Sequence, residues 1–146
     1  MINKIHKYNF LIVGGGLIGS LAGLHLIKKG YKVLVVDKNI KPSNDPRTLA
    51  VNANSKDFLI SLGIWNKLKN KPQKINKIII KDTINKSPLI FEHKEEEMGN
   101  VIFNNELLSI ATNLLKASKS IIEVSDLEIN QLHENKIIQL FLNKNS

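Results

Sequence analysis

The hydrophobic residues near the start of the chain follow two periods in turn. The apolar run Phe10–Val13, rich in β-branched side chains, predicts a buried strand. After a cluster of glycines, apolar residues recur at helical spacing, at Leu17, Leu21, Leu24 and Ile27. A second apolar run from Tyr31 to Val36 predicts another strand. Strand, helix and strand in such close succession predict a βαβ unit with a parallel sheet, which is an α/β fold.

The pattern changes farther along the chain. Residues 45–52 are expected to lead from a polar loop into an amphipathic helix that Gly63 ends. Alternating residues from Ile75 to Asp82 predict one long strand, and a turn at residues 85–88 returns the chain into Leu89–Phe91. Two strands joined by a short turn form a hairpin, so this second sheet is expected to be antiparallel and separate from the first.

The last third of the chain combines a helix with short strands. A brief strand at Val101–Phe103 precedes a helix that starts at Asn104 and ends near Ser118. Further strands are predicted at residues 120–125, 127–132 and 137–142. We therefore divide the chain into a βαβ core over residues 1–72, an antiparallel hairpin that starts a second domain over 73–103, and a helix with strands that return to the core over 104–146.

Composition excludes several classes of function. The net charge of +8 comes almost entirely from lysines scattered along the sequence. A nucleic-acid-binding surface favours a concentrated basic face with arginines for bidentate phosphate contacts, so nucleic acid is not an expected partner. The chain has no cysteine, which excludes disulfides and thiolate metal sites. His93 and the nearby Glu95–Glu97 are interpreted as a solvated loop, and no metal site is predicted.

The amino-terminal region also has features of a targeting segment. An uncharged run from Tyr8 to Ile27 follows Lys4 and Lys7, as in a signal peptide or a membrane span. Five glycines inside this run make a poor signal core, whereas a βαβ unit accounts for them. We therefore expect a cytoplasmic protein, with at most peripheral contact between its lysines and the inner face of the membrane.

The glycines have the spacing of a dinucleotide-binding fingerprint. Gly14, Gly16 and Gly19 form a Gly-x-Gly-x-x-Gly motif between the first strand and the helix. Asp37 ends the second strand, 23 residues after Gly14. Gly14 permits a tight turn, Gly16 lets a pyrophosphate approach the backbone, and Gly19 lets the helix pack closely against the sheet. Motif, strands, helix and acid together predict dinucleotide binding.

The groups around this motif suit a pyrophosphate and a ribose. The N–H groups of Leu17 and Ile18 lie in the first helical turn, whose positive end attracts an anion. Asp37 can accept hydrogen bonds from both ribose hydroxyls and would repel a 2′-phosphate. Arg47 is the only arginine in the sequence, and a planar guanidinium grips phosphate in a way that lysine does not. Its place after the second strand favours this role over that of a surface cation.

Four motifs in this order resemble the FAD-dependent aromatic-ring monooxygenases, the para-hydroxybenzoate hydroxylase-like family. They are Ile12–Gly19, Val35–Lys38, Asp45–Ala50 and Leu62–Trp65, and they look most similar to the ubiquinone-biosynthesis hydroxylases. The resemblance continues more loosely through Val101–Leu108. It implies a Rossmann-like FAD/NAD(P)-binding fold followed by the start of an antiparallel substrate-domain sheet.

The resemblance also implies a reaction and a set of contacts. FAD would be reduced by NADH or NADPH, and an oxygen atom from dioxygen would be transferred to an aromatic or polyprenyl-phenol substrate. Carried over by position, the cofactor-binding residues would be Gly14, Gly15, Gly16, Leu17, Ile18, Gly19, Asp37, Lys38, Arg47 and, beside the adenine through its backbone, Leu127. No catalytic residue is assigned in this chain.

The sequence departs from the family pattern in two respects. Asn105 stands where the family usually has an arginine, and the family's Gly-Ala-Asp-Gly and Gly-Asp flavin motifs do not occur. We therefore expect a truncated amino-terminal portion of a monooxygenase, from a split, truncated or incompletely read gene. Two alternatives stay open. One is a stand-alone FAD- or NAD-binding module completed by a separate chain. The other is a non-catalytic remnant that acts in assembly, for example within a ubiquinone-biosynthesis complex.

Overall fold

The computed structural model describes residues 8–40, 46–81, 87–92, 97–123, 127–132 and 138–142. In chain order, the elements in these ranges are β1 (Phe10–Val13), α1 (Leu17–Lys28), β2 (Val33–Asp37), β3 (Thr48–Val51), α2 (Ala53–Ser61), a 3-10 helix (Trp65–Lys67), β4 (Gln73–Ile75), β5 (Lys77–Ile80), β6 (Leu89–Glu92), β7 (Gly99–Phe103), α3 (Asn104–Ala117), β8 (Ile121–Glu123), β9 (Leu127–Leu132) and β10 (Ile138–Leu142). They form two compact units, one from Met1–Pro42 with Ala111–Ser146 and one from Ser43–Ile110.

The first unit contains a parallel sheet in the order β1-β2-β8. Residues 33–36 of the central strand β2 are apolar and buried, as a strand covered on both faces requires. Helix α1 packs so closely on it that a Cβ on Gly23 would lie 2.8 Å from Cγ2 of Val35. Leu24 of α1 and Leu115 of α3 are buried in the same unit. The predicted βαβ unit with a parallel sheet is confirmed.

A separate antiparallel hairpin of β9 and β10 also belongs to the first unit. Leu127, predicted to lie beside the adenine, is the first residue of β9 and pairs with Leu142.

The second unit contains an antiparallel sheet in the order β3-β7-β4. Its helix α2 is capped by Asn52, whose side chain accepts a hydrogen bond from the N–H of Ser55 at 2.9 Å. Strands β5 and β6 form a hairpin of their own. The predicted antiparallel sheet, separate from the parallel one, is therefore confirmed.

Two details of the second unit differ from the sequence analysis. The segment before α2 is the strand β3, which pairs with β7 from Thr48 opposite Phe103 onward. The prediction of one long strand from Ile75 is wrong, since β4 pairs with β7 while β5 pairs with β6. An alternating pattern shows which residues share a face, but it does not identify the strand that supplies the hydrogen bonds. Part of the predicted turn at 85–88 lies outside the described residues.

Candidate dinucleotide-binding site

The turn that follows β1 requires glycine at two positions. Gly14 has a φ of +106°, which residues with a Cβ rarely adopt. A Cβ on Gly19 would lie 1.9 Å from the carbonyl oxygen of Gly14, because the first turn of α1 rests directly on this loop. The N–H of Gly14 donates to the carbonyl of Val36 at 2.8 Å. These contacts hold the N-terminus of α1 at the carboxyl ends of β1 and β2.

Gly16 has a different role from Gly19. The absence of a side chain at Gly16 leaves open space beside the backbone, whereas at Gly19 it avoids a clash with Gly14. It is the N-cap of α1, with a φ of −63° and a ψ of −176° that any residue can adopt. A Cβ at Gly16 would meet nothing within 4 Å. The N–H groups of Leu17 and Ile18 belong to the first turn and have no acceptor within the helix. An anion above Gly16 would therefore meet backbone donors and the positive end of the helix dipole.

Asp37 is fixed against this turn. It ends β2 and is half-buried. Its Oδ2 accepts the N–H of Gly15 at 2.5 Å, and its Oδ1 accepts the N–H of Asn39 at 2.8 Å. A carboxylate offers about four lone-pair sites, so each oxygen keeps capacity for another donor. The carboxylate is therefore oriented by the turn and still able to accept hydrogen bonds from a ligand.

Two residues that shape the turn were not identified from the sequence. Ser20 is buried, and its Oγ donates to the carbonyl oxygen of Gly15 at 2.8 Å. Ile121 of β8 lies on the other side, since its Cδ1 would be 3.2 Å from a Cβ on Gly15. The signal for Ser20 is a polar residue within an otherwise apolar stretch of α1. Ile121 has no such signal, because its contribution depends on β8 being the neighbour of β2.

The structure brings together only part of the predicted set. Contacts join Gly14, Gly15, Gly19 and Asp37, and Lys38 follows as an exposed residue. Arg47 is exposed and belongs to the second unit, where its carbonyl accepts the N–H of Asn104 at 3.0 Å. Its contact with a cofactor, like that of Leu127, stays a prediction.

Glu106 organises the start of α3, near the position where the resembled family has an arginine. It accepts hydrogen bonds from the N–H of Lys69 and, at 3.2 Å, from the N–H of Asn70, whose Nδ2 donates to it at 3.0 Å. Burial alone would raise the pKa of Glu106, but the hydrogen bonds from Asn70 and Lys69 outweigh burial and hold the pKa below its ordinary value. The charged carboxylate therefore ties residues 69–70 to the helix.

The described ranges contain neither a metal-binding cluster nor a membrane-spanning helix. In them, no group of three or more His, Asp or Glu side chains is placed to hold a metal ion. His93, Glu95 and Glu96 lie outside the described residues. No helix in the described part of the chain is long and apolar enough to cross a membrane.

The sequence of the chain is similar to a known domain family and to a bacterial protein. The FAD binding domain family matches residues 7–120 of the chain. The chain is 31% identical to ubiquinone hydroxylase UbiL of Rhodospirillum rubrum over 106 residues. The matched region covers 66% of this chain and 24% of that protein. The chain therefore spans about a quarter of the length of this relative.

Solved structures show a similar fold. A protein of Photorhabdus luminescens described as an FAD-containing monooxygenase has a TM-score of 0.68 at 19% identity, over 96% of this chain and 36% of that one. For p-nitrophenol 4-monooxygenase PnpA of Pseudomonas putida, the TM-score is 0.61 at 17% identity, over 82% of this chain and 33% of that one. For aklavinone-11 hydroxylase in complex with FAD and aklavinone, the TM-score is 0.62 at 18% identity, over 90% of this chain and 28% of that one.

Proposed function

Because the chain belongs to the FAD binding domain family, we propose that it binds FAD through the ADP half of the cofactor, at the glycine turn and Asp37. The observation that carries the proposal is the hydrogen bond of 2.5 Å between Oδ2 of Asp37 and the N–H of Gly15. It joins the carboxylate to the turn, so a ribose site and a pyrophosphate site are fixed relative to each other. The ribose and the pyrophosphate are adjacent in ADP, so a site that binds ADP needs its ribose-binding and pyrophosphate-binding groups next to each other.

The residues fit the two polar parts of ADP. The space above Gly16 would take the pyrophosphate, where the N–H groups of Leu17 and Ile18 act as donors. Asp37 would accept hydrogen bonds from the ribose hydroxyls while keeping its contacts to the turn. A dinucleotide with a 2′-phosphate would bring a second negative charge to this carboxylate, so FAD fits better than NADP.

Three further assignments complete the proposed site. Lys38, directly after Asp37, would add positive charge near the ribose and phosphates. Arg47 would contact the phosphate and flavin side of the cofactor with its guanidinium. Leu127 would lie beside the adenine through its backbone. Support for Lys38 and Arg47 comes from the motifs that contain them, and Leu127 is carried over by position from the resembled family.

We propose that the complete enzyme hydroxylates an aromatic ring. FAD supplies the redox chemistry of such a reaction, while the protein orients the cofactor and excludes water. NADH or NADPH would be the reductant, and an aromatic or polyprenyl-phenol compound the substrate. Similarity to UbiL over 106 residues supports a role in ubiquinone biosynthesis, and the solved relatives support the monooxygenase class.

A completing chain or a larger complex is part of the proposal. Apolar residues of β5 and β6 are between 41% and 57% exposed, on both faces of the hairpin, namely Ile78, Ile79, Ile80, Leu89, Ile90 and Phe91. Exposed apolar patches of this kind are typical of surfaces that other protein segments cover. This observation supports a partner chain for the second unit.

Calorimetric titration of the chain with FAD tests the site. The wild-type chain should bind FAD, and Asp37→Arg should show no measurable binding, because the ribose then meets a cation instead of an acceptor. Asp57→Arg is the matched control, since Asp57 is an exposed aspartate of α2 and the change in net charge is the same. If Asp37→Arg bound FAD as tightly as the control, the role given to Asp37 would be wrong.

Oxygen uptake tests the reaction. The resemblance implies that contacts to the pyrimidine side of the flavin ring come largely from a Gly-Asp motif, which this sequence lacks. We therefore expect the chain alone, with FAD, NADH or NADPH and a polyprenyl phenol, to form no hydroxylated product. Product formation coupled to oxygen uptake would show that these residues already contain a complete active site.

A further inference from the structure

Ser20 makes two hydrogen bonds at the start of α1 and thereby fixes two successive carbonyl groups. Its N–H donates to the carbonyl of Gly16 at 2.9 Å, which is the ordinary helical bond. Its Oγ donates to the carbonyl of Gly15 at 2.8 Å. The residue is 0% exposed, so water does not compete for either bond. The hydroxyl therefore extends the helical hydrogen-bond pattern by one peptide beyond the N-cap.

Fixing a carbonyl group also fixes the N–H of the same peptide. The peptide bonds of the described residues are trans, and the C=O and N–H of a planar trans peptide point in opposite directions. The carbonyl of Gly15 points to the buried hydroxyl of Ser20, so the N–H of Gly16 points away from it. Because a Cβ on Gly16 would meet nothing within 4 Å, a ligand can approach this residue closely.

We propose that Ser20 is a positioning residue for the pyrophosphate of the bound dinucleotide. Its hydroxyl holds the Gly15 carbonyl and so presents the N–H of Gly16 as a third donor beside those of Leu17 and Ile18. The inference rests on the proposed function, because the pyrophosphate belongs to FAD. If Ser20 only satisfied buried polar groups, its replacement would lower the stability of the protein. It would not change the affinity for ligands with a pyrophosphate relative to ligands without one.

The test compares ligands with and without a pyrophosphate. In Ser20→Ala the Gly16 N–H is no longer held toward the pyrophosphate. Loss of this hydrogen bond to a charged group should weaken the binding of ADP and FAD by about tenfold. Adenosine binding, measured by NMR titration, should stay unchanged, because adenosine uses Asp37 and not Gly16. Ser118→Ala is the matched control, since the Oγ of Ser118 donates to the carbonyl of Leu115 at 2.9 Å at the far end of α3. It should bind all three ligands like the wild type.

The amide of Gly16 can also be followed by NMR in the wild-type chain, which does not depend on the folding of Ser20→Ala. The amide proton resonance of Gly16 should move downfield on addition of ADP and stay in place on addition of adenosine. Ser20→Cys, which has a similar volume and a weaker donor, should bind ADP with an affinity between those of serine and alanine.

The outcomes separate this inference from the proposed function. Equal affinity of Ser20→Ala and wild type for ADP, or a Gly16 amide that does not respond to ADP, would overturn the role of Ser20 and leave the FAD site intact. An equal loss of ADP and adenosine binding would make Ser20 a purely structural residue. A wild-type chain that binds neither FAD nor ADP would overturn the proposed function and the inference with it.

Discussion

Two alanine substitutions in the glycine motif should separate its role in folding from its role in binding. In Gly19→Ala the new Cβ lies 1.9 Å from the carbonyl oxygen of Gly14 and 3.0 Å from its carbonyl carbon. Both atoms belong to the backbone of a turn whose φ of +106° leaves little freedom to move. In Gly16→Ala the new Cβ meets no protein atom within 4 Å. The first change should therefore strain the fold, and the second should only fill the space proposed for the pyrophosphate.

The magnitudes follow from these contacts. Overpacking costs roughly 1–3 kcal/mol and occasionally more, while alanine regains about 1 kcal/mol of helix propensity. Since the overlap at Gly19 is with backbone, we expect a net loss of about 2 kcal/mol, which lowers Tm by roughly 4–8 °C for a chain of this size. At Gly16, alanine is a poorer N-cap but restricts the unfolded chain, and these effects nearly cancel. The unfolding free energy of Gly16→Ala should therefore differ from that of the wild type by less than about 0.5 kcal/mol.

Thermal unfolding followed by circular dichroism measures the first effect, and calorimetric titration with FAD and ADP measures the second. Gly16→Ala should bind both ligands at least about tenfold more weakly, equivalent to about 1.4 kcal/mol, with a Tm close to that of the wild type. The reasoning is refuted if Gly19→Ala unfolds at the wild-type temperature. It is also refuted if Gly16→Ala binds ADP as tightly as the wild type.

Three further predictions concern residues outside the turn. Arg47→Lys keeps the charge but loses the planar fork, so calorimetry should show FAD binding weaker by roughly 1–2 kcal/mol; equal affinities would make Arg47 a surface cation. The pKa of Glu106 lies below its ordinary value of 4.5, so its contribution to stability is present above that pH and is lost as the pH falls through the lower pKa of the folded state. In urea unfolding between pH 3 and 7, Glu106→Gln should lose about 1 kcal/mol at neutral pH and converge with the wild type in acid. Lys119 has a φ of +54°, so Lys119→Gly should raise the unfolding free energy by about 1 kcal/mol, whereas Lys116→Gly, inside α3, should lower it.

The ends of the helices show how far local sequence reaches. Gly30 and Gly63 follow α1 and α2 with φ values of +88° and +71°, and the sequence marks Gly63 as a helix end in advance. Helix α3 ends in the same conformation at Lys119, with the N–H of Ser120 donating to the carbonyl of Leu115 at 2.9 Å. The predicted end near Ser118 is close to the observed Ala117, although no glycine marks it.

The sequence alone determined the βαβ unit, the separate antiparallel hairpin and the proximity of Asp37 to the glycine motif. All three depend on hydrophobic periods and turn residues within short windows, and a βαβ unit places the ends of its two parallel strands side by side. The FAD binding domain family and the cofactor follow from the same residues, because their spacing is set by this local geometry.

Only the tertiary structure decided the partners of the short strands and the environment of single side chains. Strands β3 and β4 both pair with β7, which lies far from them in sequence. The side chain of Ile121 reaches Gly15 from β8, which follows 106 residues later in the chain. The physical reason is that periodicity records which face of an element is buried. The partner that covers this face depends on the free energy of contacts between distant segments, which no local window contains.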